Sequence, residues 1–470
     1  MKENSLPDHL VHHFKLTPPR AIMIGFGTMI LIGALLLNLP IATASGESIG
    51  FLDALFTATS ANCVTGLVVV NTFDYWSIFG KIVILLLIEC GALGFITILT
   101  LLMILVRKEI SLRNRLVIQA SFNQNNMRGM VRLVKKVVII TLSFQAVGAV
   151  LLAFAFYHSA DMTVPEAIFN GVFHAISSFC NAGFDNIGPQ SLMPFVTNPA
   201  INFIIIALVI SGGLGFTVWI ELFEKLKNRK RQSLRIRINH LSLHTKIVLS
   251  VTVALLISGT ILFMLCEWNN PGTLGDLYAP EKVQASLFQS VTVRTVGFFS
   301  IDQSALSDIS KFFSSLLMLI GGSPVSTAGG IKTVTIGVIF FTMLSVIRGR
   351  NRIEAFGRTI PFEIMQKALM VVSAFILLVL VATTILHFTE ANNPISNNFI
   401  DLFYEVCSAT GTVGLTTGLT PALSPIGKIV IILCMYFGRL SPITIAVALS
   451  MKLHGNIDGT SLPEEKVIIG

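Results

Sequence analysis

Cys63-Val64-Thr65-Gly66-Leu67, Cys180-Asn181-Ala182-Gly183-Phe184, Arg294-Thr295-Val296-Gly297-Phe298 and Gly411-Thr412-Val413-Gly414-Leu415 are four versions of one short phrase. Each carries a glycine followed by a large apolar residue. Each follows an amphipathic stretch rich in Ser, Thr and Phe, at 52–60, 167–178, 283–292 and 399–410. At 9 to 12 residues these stretches fall short of the roughly 20 that cross a bilayer, so they read as re-entrant helices. A second echo follows each glycine by 24 to 29 residues: Gly91-Ala92-Leu93-Gly94-Phe95, Gly212-Gly213-Leu214-Gly215-Phe216, Gly321-Gly322-Ser323 and Gly438-Arg439-Leu440-Ser441. Small residues inside spanning helices are usually packing devices, so this echo gains meaning only beside the first.

Composition sets the solvent for these repeats. Of 470 residues, 53% are hydrophobic and 12% charged, about half the charge of a soluble domain. The mean hydropathy is +0.77. Windows at 21–41, 82–106, 201–220 and 368–388 reach spanning length. The net charge of +8 lies in loops: Arg107, Lys108, Arg113 and Arg115; the run 225–237; and Arg348, Arg350, Arg352 and Arg358. Alternate loops hold Glu47, Asp161, Glu166, Glu267, Asp276 and Glu390. This asymmetry puts the basic loops and both termini in the cytoplasm and argues against nucleic acid. Six cysteines without CxxC spacing indicate neither a disulfide framework nor a zinc cage, and no cleavable signal peptide is evident.

The fold class is therefore all-α integral membrane, with four pseudo-repeats of helix, pore helix, filter loop and helix giving eight spans around one central pore. The expected divisions are a cytoplasmic segment 1–18, repeats at 19–108, 133–224, 245–347 and 365–453, basic loops at 109–132, 225–244 and 348–364, and a tail 454–470. Non-helical backbone at membrane depth is tolerated where it is buried in protein or lines water. Four such segments about one axis would turn carbonyl oxygens inward to replace an ion's hydration shell. Half-helices would aim their negative C-terminal ends at the same point, favouring a cation. The expected ion-binding residues are Val64, Thr65, Gly66, Asn181, Ala182, Gly183, Thr295, Val296, Gly297, Thr412, Val413 and Gly414. Potassium is expected as substrate, with no cofactor.

At these residues the chain resembles the Trk/Ktr/HKT superfamily of potassium transporters, most closely the Ktr branch with its NtpJ-like members. The resemblance runs from about 18 to 452, carried by 60–67, 178–184, 294–298 and 412–418. It implies potassium uptake across the cell membrane, often sodium-dependent, by a homodimer with one pore per protomer and a cytoplasmic ring of RCK-type nucleotide-binding regulatory subunits. Within the family, glycine in all four filter segments goes with potassium and serine in the first goes with sodium preference.

The third repeat departs from the others at Gly321-Gly322-Ser323-Pro324-Val325-Ser326-Thr327-Ala328-Gly329-Gly330-Ile331-Lys332-Thr333. Four glycines and a proline cannot hold a regular helix, so 321–333 reads as an irregular intramembrane loop under the filter, a gate or else a static kink. The resemblance favours the gate. A P-loop is excluded because Ile331 separates Gly330 from Lys332 and no strand precedes. Arg439 interrupts an apolar helix, so it faces either the pore, where its charge would hold a gate shut, or an ion-pair partner. Arg294 and Glu89 also fall at membrane depth and would pair behind the filter. His240 and His244 have no acidic third ligand nearby, and His174 reads as a packing residue. No enzyme motif appears. The rivals are a sodium–potassium symporter, a sodium-permeable HKT-like transporter, and a membrane enzyme or scaffold.

Overall fold

The computed structural model describes residues 18–94, 97, 100–101, 104, 130–159, 162–227, 240–391, 393 and 398–440. The basic residues at 107–115 and 228–237, residues 1–17 of the expected segment 1–18, the expected tail 454–470, and positions 95 and 441 of the second echo lie outside them. Helices α1 (Pro18–Leu37), α2 (Phe51–Cys63), α3 (Thr72–Tyr75) and α4 (Ile78–Leu93) come first. There follow α5 (Met130–Ser159), α6 (Val164–Cys180), α7 (Pro199–Gly213) and α8 (Phe216–Lys227). Next are α9 (Leu243–Glu267), α10 (Ala279–Thr292), α11 (Asp308–Leu319) and α12 (Thr333–Ile347). A hairpin, β1 (Ile353–Ala355) and β2 (Arg358–Ile360), precedes α13 (Phe362–Thr389), α14 (Phe399–Gly411) and α15 (Pro425–Leu440).

Helices α1, α5, α9 and α13 are each long and apolar enough to cross a membrane. Their outer faces would be untenable in water: Phe154 is 68% exposed, Leu265 78% and Phe388 75%. Two expected spans need correction. The window 201–220 is not one helix, since α7 and α8 meet at a 97° bend with Gly215 at φ +88°. The window 82–106 is interrupted too, because α4 ends at Gly94, φ +81°.

The half-length helices α2, α6, α10 and α14 have 13, 17, 14 and 13 residues, longer than expected from apolar patterning. In α6 and α10 the first turn explains the extension, whereas α2 and α14 gain most of their added length at the C-terminal end. Each carries an acid at its third position, where the helix dipole favours negative charge: Asp53, Glu166, Glu281 and Asp401. Glu166 and Glu281 accept from the Thr163 and Tyr278 amides, both at 3.0 Å, closing the helix start on itself. Asp53 and Asp401 instead accept from Lys428 at 2.6 Å and Lys311 at 2.9 Å, on the helices that pack beside them.

Those neighbours form a closed circuit. Helix α4 packs on α6, α7 on α10, α11 on α14, and α15 returns to α2. The largest buried side chains, among them Phe56, Phe173, Phe179, Phe288 and Phe298, fill the spaces around these short helices. The hairpin was not foreseen within the expected basic loop. Its two-residue turn places Phe356 and Gly357 at φ +51° and +72°, the left-handed pair that joins antiparallel strands.

Candidate ion-binding and gating site

Each short helix ends by turning its chain through a left-handed residue two places before the glycine. Val64, Asn181, Thr295 and Thr412 have φ of 58°, 61°, 72° and 52°. The next amides are then consumed locally: Thr65 donates to Ser60 O, Ala182 to Ser177 O and Val413 to Ser408 O, all at 2.8 Å, and Val296 to Thr292 O at 3.1 Å. Among the described residues no main-chain amide donates to the carbonyls of Thr65, Ala182, Val296 or Val413. Folding has satisfied the donors and left these oxygens for something else.

The four glycines sit against one another's segments in cyclic order. A Cβ on Gly66 would meet Ala182 O at 2.5 Å, and one on Gly297 would meet Val413 O at 2.7 Å. A Cβ on Gly183 would run into Val296 O, and one on Gly414 into Thr65 O. Their φ values, 96°, 70°, 94° and 96°, are open to glycine at no steric penalty. All four line one cavity of about 70 Å³, together with Asn71 and Asp185.

On the side of the residues that precede the glycines, the chain between α11 and α12 packs against the glycine-bearing segments. Its root is tied by Gly321 N–H to Ile331 O and Ile331 N–H to Leu319 O, both 2.9 Å. It leans into the α7–α8 bend, where Ser323 N–H donates to Gly213 O and Phe216 N–H to Val325 O, both 2.9 Å. This contact explains the bend. Further along, Thr327 Oγ1 donates to Phe179 O at 3.1 Å and lies 3.2 Å from Asn181 Oδ1. Asn181 Nδ2 in turn lies 3.5 Å from Thr295 Oγ1. Gly329 is packed so tightly against Thr412 that a Cβ there would collide with its hydroxyl. The loop thus touches the segments at 181, 295 and 412 directly beneath the glycines.

Basic side chains hold the loop by its carbonyls. Arg439 Nη1 donates to Thr327 O and Nη2 to Gly91 O at 2.6 Å, joining α15, the loop and the end of α4. Lys332 Nζ donates to Ala328 O at 2.6 Å and Arg294 Nη2 to Gly321 O at 3.2 Å. Of the expected gate residues, Gly321, Gly322, Ser323, Ser326, Thr327, Ala328, Gly329, Gly330 and Lys332 all fall in this loop or at its end, and Arg439 reaches it.

Two sequence expectations are corrected here. Arg439 has no acidic partner among the described residues, so the ion-pair alternative does not hold. Glu89 does not pair with Arg294; it accepts from Gln145 Nε2 at 2.8 Å and Cys180 Sγ at 3.3 Å. Depth along a helix is legible in sequence, but the direction a side chain faces is not. The second echo serves packing: Gly91, Gly212 and Gly438 lie against the carbonyls of Asn62, Phe179 and Thr410 at the short-helix ends. His174, as expected, is buried between Phe156 and Phe298 and bonded to Asn170 O. Sequence reasoning missed Glu405, buried on α14 and accepting from Thr416 and Thr420 of the segment that follows Gly414. Its position seven residues into the short helix, among apolar neighbours, was the available signal.

A helical membrane fold with a ring of free carbonyls and a cationic clamp beneath it defines a class of ion-conducting transport proteins. Residues 19–456 match the TrkH family, described as cation transport protein, and the chain belongs to it. It is 40% identical over 456 residues to the potassium/sodium uptake protein NtpJ of Enterococcus hirae, covering 97% of this chain and 98% of that one. It is 38% identical to the Ktr system potassium uptake protein B of Bacillus subtilis, covering 98% and 99%. The crystal structure of the potassium transporter TrkH from Vibrio parahaemolyticus has the same fold, with TM-score 0.71 and 18% identity over 94% of this chain and 87% of that one. Members of this family are multi-pass membrane ion transporters and not enzymes, and no cofactor belongs to their chemistry.

Proposed function

We propose that this chain is the ion-translocating subunit of a Ktr-type potassium uptake system. Four repeats, 19–108, 133–224, 245–347 and 365–453, contribute eight spans and four pore helices around a single axis. Potassium sheds water against the carbonyls of Val64, Thr65, Asn181, Ala182, Thr295, Val296, Thr412 and Val413, at the level set by Gly66, Gly183, Gly297 and Gly414. The observation that carries this reading is the cyclic approach of each glycine to the next segment's free carbonyl. A scattered set of loops would not close on itself.

The loop 321–333 is the gate, and Arg439 is its latch. A guanidinium under a cation path repels the permeant ion while its donors grip Thr327 and Gly91. The cavity of about 70 Å³ is the outer mouth, with both termini and the basic loops cytoplasmic. The names of relatives, one of them a potassium/sodium uptake protein, support potassium as cargo with sodium dependence or some sodium passage. A homodimer with a cytoplasmic RCK-type regulatory ring completes the system.

Flux into proteoliposomes of the purified chain tests the proposal. Gly66→Ser and Gly297→Ser should each lower discrimination of potassium over sodium by about tenfold, equivalent to ~1.4 kcal/mol. Arg439→Ala should raise potassium flux several-fold. Unchanged discrimination in both glycine variants would overturn the filter.

A further inference from the structure

The residue three places before each ring glycine is small and neutral in three segments, Cys63, Cys180 and Gly411; in the other it is Arg294. That segment belongs to the same repeat as the loop between α11 and α12. Arg294 is only 9% exposed, and its one described acceptor is Gly321 O, the carbonyl at the loop's root. It lines a small cavity of about 20 Å³ with Asn181, Gly213, Thr252 and Gly322. No carboxylate pairs with it among the described residues, and Glu89 is held elsewhere. A buried cation without an acid to compensate it is costly, so its retention calls for a role beyond stability.

The covalent neighbour matters equally. Thr295, directly after Arg294, is a β-branched residue at φ +72°, a conformation that persists only where surroundings enforce it. Gly321 is part of that enforcement, since a Cβ there would lie 3.1 Å from Thr295 Cγ2. The root itself is stiff, knotted by the paired bonds between 319–321 and 331. Arg294 therefore spans two elements that must agree in position: the root of the loop and the strained turn leading to Gly297.

We infer that Arg294 is a positioning residue that couples the gate to the ion-selective ring, so that displacement of the loop and discrimination at Thr295-Val296-Gly297 change together. This rests on the pore reading, which Gly297→Ser tests separately. The experiment is single-pore recording in planar bilayers under opposed potassium and sodium gradients, with wild type, Arg294→Gln, Arg294→Lys, Arg439→Ala and Gly297→Ser. Arg439→Ala should lengthen openings without moving the reversal potential. Arg294→Gln should lengthen openings and also shift the potassium-to-sodium permeability ratio toward unity by about fivefold. Arg294→Lys, which keeps the charge but not the planar fork, should restore part of both. If Arg294→Gln does not yield a monodisperse protein, Arg294→Lys carries the test, with both quantities displaced in the same direction. A wild-type permeability ratio in the tested Arg294 variant, or a changed ratio with wild-type open times, overturns the coupling. An unmoved ratio in Gly297→Ser overturns the pore reading and the coupling with it.

Discussion

At the scale of single residues, the ring glycines are constrained by two independent demands. Gly183 must adopt φ +70° and must leave room for Val296 O of the next segment. Gly183→Ala fails both, so rubidium tracer uptake should fall by about 100-fold, the effect of ~2.7 kcal/mol, with protein yield little changed. An uptake rate within a factor of about two of wild type would contradict the close approach. The ring glycines and Arg439 were readable from sequence because four aligned phrases and a lone charge in an apolar helix stand out against their surroundings. Glu89 and Arg294 were readable only as buried charges. Their true partners, Gln145 with Cys180 and Gly321 O, depend on helix rotation, which no linear pattern encodes.

Secondary-structure elements show where patterning runs out. Helices α6 and α10 start three and four residues before their expected stretches because the capping acids Glu166 and Glu281, not hydrophobic periodicity, define their first turns. The α7–α8 bend was hidden inside an uninterrupted apolar window, since the cause lies in another part of the chain, the loop seated at Gly213 and Phe216. The division of the four acids into two caps and two ion pairs has an energetic consequence. Lys311 and Asp401 retain only 8% and 14% side-chain exposure, so removing one partner leaves a poorly hydrated charge. Asp401→Asn should destabilise the detergent-solubilised protein by about 2 kcal/mol, and Lys311→Met in the same chain should recover at least half. Additive loss in the double variant would mean that the pair is not coupled. Glu166→Gln, which breaks only a local cap, should destabilise less than Asp401→Asn.

At the scale of the whole molecule, the ends of long helices are stapled to the starts of their partners by carboxylates. Glu390, just beyond α13, accepts from Ser424 Oγ at 2.5 Å, Ser424 N–H at 3.1 Å and Asn393 Nδ2 at 3.0 Å. Glu267 does the same for Ser307 at the start of α11 and also accepts from Thr273 and Asn270 in the turn after α9. Burial pushes the Glu390 carboxyl up, but the donors pull it further the other way, leaving it below its ordinary value of 4.5. A depressed folded-state value means this staple stabilises fully above the unfolded-state value and is lost as pH falls through the folded one. Thermal stability of wild type should therefore decline below a pH of about 4.5, and Glu390→Gln should be less stable at neutrality with a shallower acid slope. Parallel pH profiles for the two proteins would remove Glu390 from the account. The repeats led to the expectation of four segments about one axis, but not to the packing of α4 on α6, α7 on α10, α11 on α14 and α15 on α2. Which helices meet is not stated by a linear pattern.

On the pore reading proposed above, the loop comes from one quarter of a covalently continuous ring, which would set the stoichiometry of gating. Assemblies built from four identical chains carry four equivalent gates, and their kinetics pass through intermediate states of occupancy. On that reading a single obstruction serves each protomer's conduit, so the open and closed dwell times of one pore at fixed regulator should each follow one exponential, without sublevels of its current. Substitutions in the second helices of the other three quarters, away from the loop contacts at Gly213 and Arg439, are then expected to alter stability far more than kinetics.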